Sequence, residues 1–223
     1  MVRDGIYYGL AFLAGALALS SLAGPLWALP LYALALFSLY FFRDPERLIP
    51  AGAVAVSPAD GTIVAIRPEG TDRIRVSIFL NIFDVHVNRA PISGVITEVR
   101  YQPGRFLVAS REEASRHNEQ NTVTIRGADS TVVFKQIAGL IARRIVFTKK
   151  PGDRVSAGER VGLIKFGSRV DVILGPEWIL AVRQGDRVLA GSSVLARRRD
   201  AALSLTRAEE AVSRQHLEPE WAR

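Results

Sequence analysis

The residues of this chain that could do chemistry lie in three short segments, each next to an apolar run. Ser168 follows Gly167 in one segment, and a serine hydroxyl becomes a nucleophile only when a base removes its proton. His86, in the second segment, is either a buried polar side chain with satisfied hydrogen bonds or the most plausible group to titrate near neutral pH. Asp60 lies in the third, in an Asp-Gly turn, and the chemistry of such turns explains the residue without a catalytic role.

The composition excludes several other kinds of site. The chain has 223 residues and no cysteine, which removes disulfides, thiolate metal sites and a cysteine nucleophile. Its three histidines, His86, His117 and His216, are scattered, so a zinc site is a poor prospect. The formal net charge of +7 suits an anionic membrane surface or a nucleic acid.

The N-terminal segment indicates that the partner of this basic chain is a membrane and not a nucleic acid. Residues 5–42 carry no charged side chain, which is too long for one membrane span and about right for two. A turn signal, Gly24-Pro25, stands in the middle. We therefore predict one helix over residues 6–23 and a second over residues 26–42, which together form a helical hairpin.

The charges that flank this hairpin indicate its orientation. Arg3 precedes the first helix, and Arg43 and Arg47 follow the second, so the positive-inside rule predicts that both ends face the cytoplasm. A cleaved signal peptide fits poorly because the apolar stretch far exceeds a signal peptide's apolar core. A re-entrant hairpin, or a single tilted span followed by an exported domain, remains an alternative.

After residue 50 the pattern changes to short apolar runs between Gly, Pro and Asp. Many runs are rich in Val and Ile and several alternate with period two, which is typical of a barrel or sandwich of short strands. The predicted strands cover residues 54–56, 62–66, 74–80, 94–101, 122–125, 131–137, 144–147, 161–166 and 170–174. Residues 201–212 have the pattern of a short amphipathic helix, but a solvated, partly frayed terminus is the preferred interpretation.

One internal repeat limits the β folds that are possible. Residues 152–161 and 185–194 share the pattern Gly-Asp-Arg-Val, followed three residues later by glycine. Such units resemble those of biotinyl and lipoyl carrier domains, which implies a barrel-sandwich-like fold. A carrier needs an acceptor lysine that is commonly flanked by methionine, and the only methionine is Met1.

Together the segments resemble the phosphatidylserine decarboxylase proenzyme family, in its short bacterial and archaeal form. The resemblance covers residues 41 to about 197. Its motifs are Phe42-Arg43-Asp44-Pro45, the Pro-Ala-Asp-Gly turn at residues 58–61, the run Phe-Asp-Val-His-Val-Asn-Arg-Ala-Pro at residues 83–91, the polar patch at residues 118–121 and Phe-Gly-Ser-Arg at residues 166–169.

The resemblance implies a self-processing, pyruvoyl-dependent enzyme. The precursor cuts itself between Gly167 and Ser168 into a larger β chain, residues 1–167, and a smaller α chain, residues 168–223, which stay together as a heterodimer. Residue 168 becomes a pyruvoyl group, which forms a Schiff base with the amine of phosphatidylserine, and loss of carbon dioxide gives phosphatidylethanolamine. By the same resemblance His86 is the base and Asp60 orients it, with no metal or nucleotide cofactor.

Two positions depart from the long form of the family. Arg169 replaces the threonine of its Gly-Ser-Thr cleavage site, and Arg89 replaces the second of two histidines three residues apart. We predict that both arginines contact the phosphate or carboxylate of the substrate, because guanidinium groups bind such anions in bidentate fashion. His117 is a candidate helper in a polar loop.

The implied organisation is a membrane-anchoring helical hairpin over residues 1–45, a mainly β decarboxylase domain over residues 46–199 and a polar tail over residues 200–223. We expect the catalytic domain on the cytoplasmic side of a bacterial cell membrane, with a phospholipid substrate, no nucleic-acid partner and the homo-oligomeric state open. The alternative is a non-enzymatic, membrane-anchored barrel-sandwich adaptor of a transport complex. Such an adaptor normally has a long helical hairpin with heptads between its repeat halves, and no heptads are visible here.

Overall fold

The computed structural model describes residues 2–109, 112–140, 144–165 and 167–200. Within these residues the helices are α1 (Arg3–Ala23), α2 (Pro25–Phe41) and α3 (Ala114–His117). The strands are β1 (Val54–Val56), β2 (Gly61–Glu69), β3 (Arg73–Leu80), β4 (Val87–Arg89), β5 (Gly94–Gln102), β6 (Gln120–Arg126), β7 (Thr131–Ala138), β8 (Ile145–Phe147), β9 (Arg154–Val155), β10 (Arg160–Ile164), β11 (Ser168–Leu174), β12 (Trp178–Leu180), β13 (Arg187–Val188) and β14 (Val194–Arg198). A mainly β fold preceded by two apolar helices is therefore confirmed.

The two long helices form an antiparallel pair. The backbone N–H of Val2 donates to the carbonyl of Phe42 at 3.0 Å, which closes the open end of the pair. Gly5 and Gly9 allow the close approach, because a Cβ on either would lie 2.4 Å from Phe42 Cβ or 2.9 Å from Leu39 Cδ2. Small residues at such spacing are common where apolar helices pack closely.

Only α1 among the described helices is long and apolar enough to cross a membrane, with a mean hydropathy of 1.7 over its most apolar window. The second helix, α2, has 17 residues, which corresponds to a length of about 25 Å. The break falls at Gly24, as predicted, and its φ of 98° lies in the region that favours glycine.

The largest sheet has eight strands in the order β13-β2-β3-β11-β7-β6-β5-β9, and two three-stranded sheets have the orders β1-β14-β12 and β4-β10-β8. All the strand pairs in these sheets are antiparallel. Strand β11 lies between β3 and β7, near the centre of the large sheet. One face of β11 carries Val170 and Val172 into the apolar core, where they join Ile78 and Phe134.

The two Gly-Asp-Arg-Val repeats adopt matching backbone conformations. Gly152 and Gly185 begin them with φ of 94° and 96°, and Gly158 and Gly191 end them with φ of 77° and 79°. A Cβ on either of the last two glycines would lie within 3.0 Å of the Ile49 side chain. The repeats therefore converge on the segment that follows α2.

All nine predicted strands are present, but the pattern missed β4, β9, β12, β13 and β14. These strands have two to five residues, too few to show a period. The strand predicted to end at residue 166 ends at Ile164, and the strand predicted to begin at Val170 begins at Ser168. Residues 201–212, for which a frayed terminus was preferred over a short helix, lie outside the described residues.

Candidate active site

Ser168 is the first residue of β11, and it is fully buried. It pairs with Leu80 on β3 and with Ala138 on β7, so hydrogen-bonded strands hold it on both sides. Because side chains alternate along a strand, Ser168 lies on the same face as Val170, toward the core. Within the described part of the chain its Oγ has no hydrogen-bond partner.

The residue before it, Gly167, has a left-handed backbone with φ of 48°. A Cβ on Gly167 would meet nothing within 4 Å, so conformation rather than space favours glycine there. Gly139 is in the opposite situation, because a Cβ on it would lie 2.0 Å from the carbonyl oxygen of Gly167. The peptide bond after Gly167 therefore lies against a backbone that cannot carry a side chain.

Asn118 holds this neighbouring backbone in place. Its Nδ2 donates to the carbonyls of Leu107 at 2.8 Å and Ala138 at 2.7 Å, and its Oδ1 accepts from the N–H of Leu107 at 2.9 Å. Asn118 is fully buried, so its loss would leave three backbone groups without partners. The motif comparison included Asn118 but assigned it no role, and Gly139 was not singled out at all.

His86 is buried between the end of α2 and the loop before β4. Its Nδ1 lies 2.9 Å from the carbonyl oxygen of Asp84, and because a carbonyl only accepts, Nδ1 carries the proton. The basic nitrogen is then Nε2, which has no partner among the described residues. Burial lowers the pKa of His86 to about 4, so the imidazole is neutral at pH 7.

The chain brings Ser168 and His86 into one region from two directions. The N–H of Ile164 donates to the carbonyl of His86 at 3.2 Å, and Ser168 follows four residues later. Leu80, the strand partner of Ser168, precedes His86 by six residues. No hydrogen bond joins Oγ and Nε2 in the described part of the chain, so each is a buried polar atom without a partner. Such atoms are costly and therefore uncommon, so each needs an explanation, and a role in chemistry is one.

Asp60 has other partners than His86. One carboxylate oxygen accepts from Arg47 Nη2 at 2.7 Å and the other from the N–H of Ala190 at 2.8 Å, in the second repeat. Burial raises the pKa of Asp60. The group that forms a hydrogen bond with the His86 ring is the backbone carbonyl of Asp84, which sequence reasoning missed, and the orienting role of Asp60 stays a prediction.

Asp84 is itself fixed by two interactions. Its carboxylate accepts from Arg187 Nη2 at 2.5 Å and from the N–H of Asn81 at 2.9 Å. The second bond forms a side-chain turn between positions 81 and 84, and the pattern Asn-x-x-Asp before the histidine was the available signal. The second repeat thus contacts the loop of His86 through Arg187 and the turn of Asp60 through Ala190.

Arg89 is buried and engaged by protein acceptors. Its Nη1 donates to the carbonyl of Gly158 at 3.0 Å, and its Nη2 donates to Asp44 Oδ1 and the carbonyl of Pro45, both at 3.1 Å. These bonds connect the segment after α2 to the first repeat. The structure therefore gives Arg89 a structural role, and its contact with the substrate stays a prediction.

Arg169 is also engaged, on the face of β11 opposite Ser168. It is 1% exposed, and it donates to Asp171 Oδ1 at 2.6 Å and to Ser77 Oγ at 2.7 Å. Glu112 lies 3.4 Å from Nη2 and also pairs with Arg75. The position of Arg169 gives no support to contact with the substrate, which likewise stays a prediction.

Two further observations complete the site. His117 ends α3 and is exposed, and its carbonyl accepts from the N–H of Arg105 at 2.7 Å. Among the described residues no cluster of three or more His, Asp or Glu side chains could hold a metal ion. The two groups that could take part in chemistry are thus a buried serine hydroxyl and a buried, neutral imidazole, neither of which has a hydrogen-bond partner for Oγ or Nε2 among the described residues.

Comparison with known proteins identifies relatives over most of the chain. Residues 34–196 match the family model described as phosphatidylserine decarboxylase. A phosphatidylserine decarboxylase proenzyme of Solibacter usitatus is 66% identical over 200 residues, which are 90% of this chain and 98% of that protein. Proteins of the same name from Solidesulfovibrio magneticus and Chlorobium chlorochromatii are 45% identical over 210 residues (90% and 97%) and 49% identical over 165 residues (71% and 78%).

Proposed function

Because this chain belongs to the phosphatidylserine decarboxylase family and is a decarboxylase, we propose that it produces its own pyruvoyl group by self-cleavage between Gly167 and Ser168. With that group it converts phosphatidylserine to phosphatidylethanolamine and carbon dioxide in phospholipid biosynthesis. The observation that carries this proposal is the buried Ser168 Oγ, which has no partner in the described part of the chain and follows a glycine in a left-handed conformation.

Cleavage begins with attack of Ser168 Oγ on the carbonyl carbon of Gly167. The bond from that carbon to the Ser168 nitrogen breaks, the hydroxyl proton passes to the nitrogen, and an ester replaces the peptide bond. Removal of the Cα proton of residue 168 then expels Gly167 as a carboxylate and leaves dehydroalanine. Addition of water and loss of ammonia convert the dehydroalanine to the pyruvoyl group.

His86 is the base that the geometry favours for both proton removals. Its Nδ1 proton is committed to the Asp84 carbonyl, so Nε2 is the free basic atom. The lowered pKa, about 4, keeps the imidazole neutral at pH 7 and makes it a ready donor once it is protonated. We assign Asp60 to the support of this site through Arg47 and Ala190, because these are the groups it binds.

The residues around position 168 fit a pyruvoyl group. Strands β3 and β7 would continue to hold residue 168 after cleavage, and Asn118 would fix the backbone of Ala138 beside it. When present, the group supplies an electron sink through a Schiff base with the substrate amine. His86 would return the proton to the substrate carbon from which carbon dioxide leaves.

The two N-terminal helices would hold the site at the membrane, where the lipid substrate lies. A diacyl phospholipid does not readily leave a bilayer, so an enzyme that acts on it gains from an anchor. Leu22, Leu26 and Trp27, at the closed end of the helix pair, are at least 71% exposed. We propose that residues 1–45 insert as a hairpin into a bacterial cell membrane, with the domain over residues 46–199 on the cytoplasmic side.

The test is the mass of the purified protein. We expect two chains, residues 1–167 and a smaller chain that begins with a pyruvoyl-blocked residue 168. Ser168→Ala should remain one chain, whereas Ser156→Ala, which changes an exposed serine, should be cut like the wild type. An intact wild-type chain with a normal Ser168 would remove the proposal and would favour the non-enzymatic adaptor.

A lipid assay tests the base. With vesicles that contain phosphatidylserine, the wild type should release carbon dioxide and form phosphatidylethanolamine. His86→Ala should lose that activity and should cleave itself slowly, because no other described histidine lies in the buried site. Normal turnover by His86→Ala would assign the proton transfers to another group.

A further inference from the structure

The open end of the helix pair packs directly on the candidate active site. Phe41 and Phe42, at the end of α2, form a buried apolar cluster with Leu163 of β10. Ile82 from the loop before His86 and Val146 of β8 pack against the same cluster. The helix pair is therefore part of the wall around the loop of His86 and the strand that leads toward the cleavage site.

The first point of contact is the His86 ring. Its centroid lies 4.4 Å from that of Phe41, with an angle of 34° between the ring planes. Arg43 Nη2 donates to the carbonyl of Phe83 at 2.6 Å, and the Tyr40 hydroxyl donates to the same oxygen at 3.3 Å. The end of α2 thus holds both the ring of His86 and the loop that carries it.

The second point of contact is the segment before the cleavage site. Lys165, two residues before Gly167, forms an ion pair at 2.8 Å with Asp4 in the first turn of α1. The pair is partly shielded from water, since the Lys165 side chain is 11% exposed. The Lys165 ammonium also lies 5.5 Å from the centroid of the Tyr8 ring and 5.8 Å from that of Phe42.

Resting on the self-cleavage proposed above, we propose that docking of the helix pair sets the geometry of that reaction. Phe41 positions the base, and the Asp4–Lys165 pair positions the end of β10, three residues before Gly167. Phe41 and Asp4 are thus positioning residues, since neither contacts the reacting atoms. A precursor whose helices are not docked on the domain would cut itself slowly, so cleavage is coupled to correct assembly of the membrane hairpin.

The division into two chains agrees with this coupling. Asp4, Phe41, His86 and Lys165 all precede residue 168, so they belong to one chain after cleavage. Residue 168 would remain between β3 and β7, whose residues also precede the cut. The same contacts that position the base for cleavage therefore remain available for decarboxylation.

Charge reversal of the ion pair is the first test. The full-length proteins Asp4→Lys, Lys165→Asp and the double variant are synthesised into lipid nanodiscs, and the half-time of self-cleavage is followed by intact mass. Each single variant should cleave up to about fivefold more slowly, the scale of a partly exposed ion pair, and the double variant should recover most of the rate. Wild-type rates in both single variants, or no recovery in the double variant, would overturn the proposal.

The pH profile of cleavage tests Phe41. The charged groups around the His86 loop are Asp84, its partner Arg187, Arg43 after the end of α2 and Lys165 just after β10. Phe41→Ala admits water to the imidazole and should move the acid limb of the profile upward from about pH 4 toward 6.5, the ordinary pKa of histidine. Leu36→Ala, on the exposed face of α2, is the control and should keep the wild-type profile.

Phe41→Leu is the control for a folding defect, because leucine keeps the apolar packing and removes only the aromatic ring. It should give a smaller shift in the same direction, and an unchanged acid limb in both Phe41 variants would count against the proposal. The wild type and Ser168→Ala are run together with these proteins. An uncut wild type would refute self-cleavage itself, whereas a cut wild type with unaffected hairpin variants would refute only the positioning role.

Discussion

Neighbouring residues on the two faces of β11 differ in how far their polar groups are hydrogen-bonded. Ser168 points into the apolar side of the sheet, where its hydroxyl has no partner among the described residues. Arg169 points to the other side, where it bonds to Asp171, Ser77 and Glu112. Both residues are buried, so burial alone does not distinguish the residue proposed to react from the structural one.

If Ser168 reacts as proposed, this one strand combines a stabilising face with a reactive one. A buried ion-pair network is favourable only when its members satisfy one another, and the Arg169 face meets that condition. A hydroxyl that must attack a neighbouring carbonyl cannot be committed to a strong acceptor in advance. The free Ser168 Oγ therefore costs some stability, and the strand ladders on both sides hold the residue in spite of it.

Disruption of the ion-pair network on the Arg169 face should cause the largest loss of stability. Asp171 accepts from Arg169 at 2.6 Å and from Ser115 at 2.5 Å, and it is fully buried. In the uncut Ser168→Ala background, Asp171→Asn should lower the free energy of unfolding by about 3–5 kcal/mol, because it leaves a buried charge poorly compensated. Urea unfolding in detergent measures this.

The matched control for that prediction is an exposed ion pair. Lys149 and Glu159 are partly exposed, and their Nζ and Oε1 atoms lie 2.5 Å apart. Glu159→Gln should cost about 1 kcal/mol or less. Equal losses for the two variants would mean that the Arg169 face is no more structural than the surface.

The second prediction concerns His86, whose Nε2 is also a buried atom without a hydrogen-bond partner among the described residues. Its pKa is lowered to about 4 in the folded protein against 6.5 ordinarily, so between these values the unfolded chain binds a proton that the folded protein does not. Stability is therefore fully present above pH 6.5 and falls as the pH drops toward 4, by about 3 kcal/mol. The measurement is the pH dependence of unfolding in the Ser168→Ala background.

His86→Gln in the same background isolates this contribution. The free energy of unfolding of the variant should change less between pH 6.5 and 4 than that of its parent, since glutamine does not titrate. Asp60 and the other carboxylates are common to both proteins, so their effects cancel in the difference. If the free energy of unfolding changed with pH in the same way in both proteins, the pKa of His86 would not be lowered, and its ring would be in contact with water.

The third prediction separates close packing from backbone conformation. Gly139→Ala would place a methyl group 2.0 Å from the Gly167 carbonyl oxygen and must displace the scissile bond. We expect self-cleavage to slow by about a hundredfold, the cost of a misplacement of roughly 1 Å. Intact mass against time gives the rate, and Gly127→Ala, where the nearest atom would be 3.2 Å away, should cut at a nearly normal rate.

The smallest effect is expected from Gly167→Ala. A Cβ there has free space but destabilises the left-handed backbone by about 1–2 kcal/mol, so cleavage should slow by about tenfold. Gly152→Ala changes a glycine with φ of 94° and equally free space, in a repeat that does not contact Ser168. It should cleave normally, and equal slowing in the two variants would indicate a general loss of stability.

Much of the fold was accessible from local pattern. The helix pair and its break at Gly24 follow from an uncharged apolar stretch interrupted by a Gly-Pro pair. The longer strands follow from their alternation and their Val and Ile content. The short strand β4 was not accessible, because its three residues include Asn88 and Arg89 and are buried by distant partners.

The candidate site divides in the same way. Ser168, Gly167 and His86 were accessible because their types and motif context point to chemistry. Asp84 was missed because its backbone carbonyl, not its side chain, contacts the imidazole. Gly139 was missed because nothing in its local sequence reveals that it meets the carbonyl of a residue 28 positions later.

By itself, the sequence determined which groups are available: one apolar hairpin, a set of short strands, a glycine-serine pair and a histidine. These follow from side-chain chemistry and short-range periodicity, which are local properties. The tertiary structure decided which groups remain uncommitted. Asp60, Arg89 and Arg169 have charges that suit catalysis or substrate binding, yet strand pairing and ion pairs engage them elsewhere, whereas Ser168 Oγ and His86 Nε2 are left buried without partners in the described part of the chain. A polar group's role depends on what its neighbours already satisfy, and those neighbours come from distant parts of the chain.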